Sequence, residues 1–169
     1  MKTSTFALIV GIAYLGLGVL GLIPAALVPP PAEAPSPQVS LLYGYLLGLF
    51  PVNILHTALN LAIGAWGISA ARGGANPLTF SRLVAMLFGA LAVLGMMPGL
   101  NTLFGWMPLH GHDVWLHAAT AVLAAYFGWR TEGLRSERRG VIHDRRYEMR
   151  PVMRERRAGM VDRRLAAGA

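Results

Sequence analysis

Long apolar segments dominate the first 130 residues, and short segments rich in proline, glycine or charge separate them. The first apolar run covers residues 5–28 without a single charged side chain. A helix needs about 20 apolar residues to cross a bilayer. Three further apolar segments of helical length follow it, at residues 54–71, 79–97 and 114–130. The pattern therefore predicts an all-α protein, an integral membrane four-helix bundle with these four spans. The first run exceeds the apolar core of a signal peptide, so we expect it to be retained.

Proline and polar residues mark where the chain leaves the membrane between the first two spans. Residues 29–38 (PPPAEAPSPQ) form a proline-rich loop, and proline cannot continue a helix. Pro51 divides the following apolar segment. We therefore expect Leu41–Phe50 to be a short interfacial or re-entrant helix, with Asn53 capping the second span.

A similar interruption precedes the fourth span. Residues 99–112 are short, aromatic and broken by Pro108 and Gly111. The pattern predicts a second interfacial segment on the same side of the membrane as the first. Asp113 is then expected to cap the fourth span.

Charge is distributed unevenly along the chain. Residues 1–130 carry two acidic groups and four basic ones, at Lys2, Arg72, Arg82 and Arg130. Residues 131–169 carry eleven arginines and six acids. The four basic groups all fall on one side of the predicted topology, and loops rich in Lys and Arg face the cytoplasm. The sequence thus predicts a multi-pass protein of the cell membrane with both termini in the cytoplasm.

The tail at residues 131–169 is predicted to be a basic cytoplasmic segment, disordered or partly helical. Two roles remain open for it, a solvated orientation signal or binding to anionic lipid head groups. Nucleic-acid binding is not expected, because the tail has one aromatic residue, Tyr147, and no folded platform. The chain contains no cysteine, which excludes thiolate catalysis and cysteine-ligated metal sites.

The two halves of the membrane domain resemble each other. A Leu-His pair opens both the second and the fourth span, and an aromatic-Gly pair follows each at the same spacing: Leu55-His56 with Trp66-Gly67, and Leu116-His117 with Phe127-Gly128. Two similar helical hairpins would be related by an axis along the membrane normal. Chance similarity within a biased composition is the alternative.

The ionisable and amide side chains of the second and fourth spans form a candidate polar cluster of His56, Asn60, Asp113 and His117. Residues spaced three or four apart share one helical face. Ionisable groups at membrane depth usually face the interior of a bundle or a wet cavity. We therefore expect this cluster to lie inside the bundle, near its outer end.

Four roles for the cluster are compatible with the sequence. In the leading one it is structural, and Asp113 accepts a hydrogen bond from His117. A metal site would use His56, Asp113 and His117, with His110 or His112 adding ligands. A haem held by His56 and His117 is a third alternative, and a proton or solute path is the fourth. The leading interpretation includes no cofactor and no catalytic residue, since phosphate loops, HExxH motifs and paired catalytic carboxylates are absent.

Two sequence signatures resemble a known family. Residues 49–56 (LFPVNILH), followed by LAIG at residues 61–64, form the first; Leu103-Phe104-Gly105 and DVWLH at residues 113–117 form the second. Together they resemble bacterial membrane proteins grouped as domain of unknown function 4383, over about residues 5–130. The resemblance implies a four-helix membrane protein without an assigned activity. We thus expect a structural or binding membrane bundle whose partner is the lipid bilayer, with homo-oligomerisation left open.

Overall fold

The computed structural model describes residues 1–130, which are mostly helical. They contain four helices, α1 (Thr3–Gly21), α2 (Ile54–Ala71), α3 (Pro77–Met96) and α4 (residues 112–130). Helices α1, α2 and α3 are long and apolar enough to cross a membrane. The predicted disorder and lipid binding of the tail concern residues 131–169, which lie outside the described residues.

Helix α1 is shorter than the apolar run that contains it. It ends at Gly21, whereas the run predicts a helix to residue 28. A 3-10 helix (Pro24–Ala26) and strand β1 (Leu27–Val28) follow instead. Pro24 lacks an amide hydrogen and cannot sit in a helix interior, so the chain turns there although its composition stays apolar.

A small antiparallel sheet corrects the all-α prediction. Strands β2 (Gly44–Leu46) and β3 (Phe50–Val52) pair with β1 in the order β1-β2-β3, so that Tyr45 lies opposite both Val28 and Pro51. The expected interfacial helix at Leu41–Phe50 is therefore wrong.

The backbone of this segment explains the error. Leu42, Leu47 and Gly48 have φ angles of 54°, 52° and 73°, which a right-handed helix cannot contain. Pro51 lies on β3, an edge strand, where a missing amide hydrogen is tolerated. Residues 99–111, in the predicted second interfacial segment, contain no helix; turns cover residues 98–106, and α4 begins at residue 112.

The two long connections hydrogen-bond to each other, and we call them together the loop cap (residues 22–53 and 97–111). The amides of Gln38 and Val39 donate to the Gly105 carbonyl at 2.7 and 3.2 Å. The Asn53 side chain donates to the carbonyls of Val39 and Trp106 at 2.9 and 2.8 Å. The loop cap thus ties both helical hairpins together at one end.

The predicted helix caps have different outcomes. Asn53 caps α2 as expected, because its side-chain oxygen accepts the amide of His56 at 3.0 Å. Asp113 is not a cap, since α4 begins at residue 112 and Asp113 lies within its first turn. A carboxylate there still meets the positive end of the helix dipole.

Glycines bring α1 and α2 into backbone contact. A Cβ added at Gly11 would lie 2.7 Å from the amide nitrogen of Ile68, and one at Gly67 would lie 2.7 Å from the carbonyl oxygen of Ala7. Neither distance is compatible with a side chain. Small residues at helix contacts allow this close approach, which is common between membrane helices.

Aromatic pairs connect the two hairpins. Phe6 of α1 stacks on Phe127 of α4 at 4.8 Å, and Trp66 of α2 packs edge-on against Phe80 of α3 at 5.1 Å. Trp66 and Phe127 occupy corresponding positions in the sequence repeat. Each therefore packs on an aromatic ring near the start of the other hairpin's first helix.

Candidate functional site

The helices α2 and α4 begin next to each other under the loop cap and bring three ionisable side chains together. His56 lies in the first turn of α2, and Asp113 and His117 lie one turn apart on α4. All three are buried, with exposed fractions of 1%, 1% and 0%. We call these three residues the His–Asp cluster.

The distances within the His–Asp cluster are short but exceed those of hydrogen bonds. Oδ2 of Asp113 lies 3.5 Å from Nε2 of His56 and 3.8 Å from Nε2 of His117. An N–H···O hydrogen bond spans about 2.7–3.2 Å. The bond that the structural interpretation expects between Asp113 and His117 is therefore not made. One ligating atom from each residue nevertheless lies within 4.8 Å of the other two.

Several polar atoms of the cluster have no hydrogen-bond partner within residues 1–130. They are Nδ1 of His56, both ring nitrogens of His117 and Oδ2 of Asp113. The backbone of Pro51 and of Pro108 lies beside the His56 ring, without a hydrogen bond of standard geometry to Nδ1. Buried polar atoms are nearly always satisfied in folded proteins, so such a group of exceptions marks a site to explain.

Aromatic side chains form one wall of the cluster. The ring of Phe88 stacks on that of His117 at 5.0 Å, and the ring of Tyr14 lies 4.8 Å from that of Phe88. The Tyr14 hydroxyl shares a hydrogen bond of 2.8 Å with Thr120. These contacts fix the plane of the His117 ring and keep that side of the site apolar.

Asn60, the fourth member of the predicted polar cluster, lies one turn beyond His56 on the same face of α2. It is 3% exposed, and its Oδ1 has no hydrogen-bond partner among the described residues. Asn60 therefore lies on the same face of α2 as His56, one turn further along, where it places an unsatisfied acceptor.

The two further histidines suggested as metal ligands do not join the cluster. His110 lies in the loop cap, where its ring faces Tyr45 at 6.2 Å. Burial lowers the pKa of His110, although the backbone of Pro35 opposes that shift. His112 is exposed at the start of α4. A haem between His56 and His117 would need the space that the Asp113 carboxylate occupies.

Sequence reasoning missed two residues that support the site. Tyr14 is the only tyrosine within the first apolar run, and a hydroxyl in such a helix tends to face the interior. That signal was sufficient to place it inside. Asn53 was predicted only as a cap, whereas it also holds both parts of the loop cap. Its two loop partners are distant in sequence, so no local pattern could indicate them.

These features define a class, a mostly helical protein with three helices able to cross a membrane and a buried His–Asp cluster at one end of its helices. The chain belongs to the family described as Domain of unknown function (DUF4383), whose model matches residues 4–130. This match confirms the resemblance carried by the two sequence signatures. No curated protein and no solved structure significantly matches the chain.

Proposed function

We propose that the chain is a multi-pass protein of the cell membrane that crosses the bilayer four times and serves as a structural or binding bundle. The exposed apolar side chains of its helices carry this proposal. Large apolar residues project outward from three helices, including Ile12, Val93, Trp115 and Val122, with exposed fractions of 58–71%. A water-facing surface rarely exposes so many of them together, whereas lipid would cover them.

The basic side chains support an orientation with both ends in the cytoplasm. Lys2 precedes α1, Arg72 caps the end of α2 and Arg130 ends the described part of α4. Arg82, near the start of α3, donates from Nε to the Gly128 carbonyl at 3.0 Å, which brings that end of α3 to the end of α4. The loop cap contains no Lys or Arg, so the positive-inside rule favours its placement outside.

Within this bundle the His–Asp cluster connects the hairpins, because His56 comes from the first and Asp113 and His117 come from the second. An apolar groove lies apart from this cluster. This open groove of about 310 Å³ between α3 and α4 has no charged lining residue and includes no member of the cluster. It is lined by Ala85, Met86, Ala121, Val122, Ala125 and Trp129.

Reporter fusions test the orientation. A reporter placed after Pro35, within the loop cap, should be active outside the cytoplasm, and one placed after Ala169 should be active inside. A fusion after Gly74, between α2 and α3, is the matched control and should report the cytoplasm. Cytoplasmic activity of the Pro35 fusion would show that α1 does not cross the membrane.

Replacing either histidine of the cluster tests its role in holding the hairpins together. His56→Ala and His117→Ala should each lower the free energy of unfolding by about 2–4 kcal/mol, because each leaves a cavity beside a buried carboxylate. Thermal unfolding of the purified protein in detergent measures the loss. His112→Ala, at an exposed position, should change little. Equal midpoints for all three variants would show that the cluster does not hold the fold.

A further inference from the structure

We propose that the His–Asp cluster binds one divalent transition-metal ion of the zinc or ferrous-iron type. The ligands would be Nε2 of His56, Nε2 of His117 and a carboxylate oxygen of Asp113. This inference goes beyond the proposed membrane bundle, which does not depend on it. Four observations support it: the separations, the burial, the surroundings of the ligands and their chemical type.

The separations suit ligands that share an ion. Side-chain ligands about 2.0–2.2 Å from a tetrahedral zinc ion lie roughly 3.3–3.6 Å from one another. In the cluster, Oδ2 of Asp113 lies 3.5 Å from Nε2 of His56 and 3.8 Å from Nε2 of His117. All three ligating atoms lie within 4.8 Å. The separation between Asp113 and His117 exceeds the upper end of that range by about 0.2 Å.

The burial of the Asp113 carboxylate favours a bound cation. Asp113 is 1% exposed, and the nearest basic groups to its Oδ2 are the two imidazoles, neither of which makes a hydrogen bond to it. A buried carboxylate without hydrogen bonds is costly, and the partial charge of a helix dipole offsets only part of that cost. A divalent ion supplies the missing positive charge and accepts lone pairs from Nε2 of His56 and from Nε2 of His117, the latter without a hydrogen-bond partner among the described residues.

The surroundings hold the ligands in place. The backbone of Pro51 and Pro108 lies beside the His56 ring, although Nδ1 makes no hydrogen bond of standard geometry to it. Phe88 stacks on His117 and fixes its ring. Asn53 caps the helix that carries His56. Each ligand therefore sits on a rigid element, as a metal site requires.

The ligand types decide between metal classes. Imidazole nitrogens suit zinc, iron and other first-row transition metals, whereas calcium and magnesium prefer oxygen ligands. Two histidines and one carboxylate leave at least one coordination position open, as in catalytic zinc and non-haem iron sites. Asn60, one turn along α2, has an unsatisfied oxygen on the same helical face.

Metal titration of the full-length protein tests the site. The protein is purified without a histidine tag, stripped with a chelator and titrated with Zn²⁺ and with Co²⁺, whose visible absorption reports coordination by nitrogen and oxygen. We expect about one ion per chain, and no displacement by excess Mg²⁺. Elemental analysis after gel filtration gives the stoichiometry independently.

Conservative variants show whether the bound ion sits in the cluster. Asp113→Asn and His117→Gln keep the side-chain volume and should weaken binding by at least ~100-fold, since each removes a direct ligand. The control His112→Ala changes an exposed histidine outside the cluster and should leave the affinity and the Co²⁺ spectrum unaltered.

Two results would overturn the proposal. One is a wild-type protein that is folded, by its elution and thermal unfolding, yet binds no ion. The other is binding that survives Asp113→Asn or disappears with a control variant. If a cluster variant fails to fold, the wild-type stoichiometry and Co²⁺ spectrum decide alone. Loss of the metal proposal leaves the fusion results, and hence the bundle proposal, unaffected.

Discussion

Gly64→Ala will destabilise the protein strongly, by about 3 kcal/mol, although it adds a single methyl group. A Cβ at this position would lie 2.6 Å from the Cα of Leu15 and against its amide nitrogen. Both are backbone atoms of α1, so neither can rotate away as a flexible side chain would. Helices α1 and α2 would have to separate, and the neighbouring close contacts at Gly11 and Gly67 would be lost as well.

Chemical or thermal unfolding of the purified protein measures this effect. Gly16→Ala is the matched control, because Gly16 lies in α1 and a Cβ there would meet no atom within 4 Å. Alanine favours a helix over glycine by about 1 kcal/mol, so the control should be neutral or slightly stabilising. Equal unfolding midpoints for the two variants would mean that α1 and α2 do not pack as closely as the structure shows.

Asn53→Ala will lower the free energy of unfolding by about 3 kcal/mol, because one side chain makes three hydrogen bonds. It caps α2 through the His56 amide and donates to the carbonyls of Val39 and Trp106. Alanine would leave those two carbonyls without this donor and release α2 from the loop cap. The same substitution should shift the position of His56 within the His–Asp cluster.

Asn76→Ala provides the comparison for that result. Asn76 caps α3 by accepting the amide of Leu78 at 2.9 Å, and it is exposed. Its loss should therefore cost only the ~1 kcal/mol of a surface helix cap. The difference between the two variants, measured by unfolding under identical conditions, isolates the two loop contacts of Asn53. No difference would show that these contacts add nothing to the stability.

Local signals were sufficient to predict α2. Its bounds, Ile54–Ala71, coincide with the predicted second span. A capping residue lies directly before an apolar segment of suitable length, and Arg72 with two glycines follows it. Each of these signals lies within the helix or directly beside it, so the sequence alone is sufficient to locate α2.

Non-local contacts explain what sequence reasoning missed. Residues 22–28 are as apolar as the helix before them, and only pairing with Gly44–Leu46 makes part of them a strand. The left-handed backbone at Leu42 and Leu47 also has no sequence signal, since leucine rarely adopts it. In an apolar chain, hydrophobicity indicates which segments contact lipid or the protein core. It does not indicate whether such a segment continues a helix or forms a short strand.

The candidate site was partly accessible from the sequence. Helical spacing placed Asp113 and His117 on one face, and the rarity of ionisable groups in apolar helices indicated that they face inward. The sequence selected His56 and His117 for the cluster, but it left open whether His110 or His112 joins them. That question depends on where the loop cap ends and α4 begins, and α4 begins at residue 112, two residues before the predicted span.

The two aromatic pairs between the hairpins also bear on the similarity of the two hairpins. Trp66 contacts Phe80, and Phe127 contacts Phe6. In both pairs the second helix of one hairpin contacts the first helix of the other hairpin at corresponding positions. Contacts of this form characterise an isologous interface, which normally joins two identical subunits around a two-fold axis. In these two contacts, residues 1–130 therefore resemble a homodimer of hairpins contained within one polypeptide.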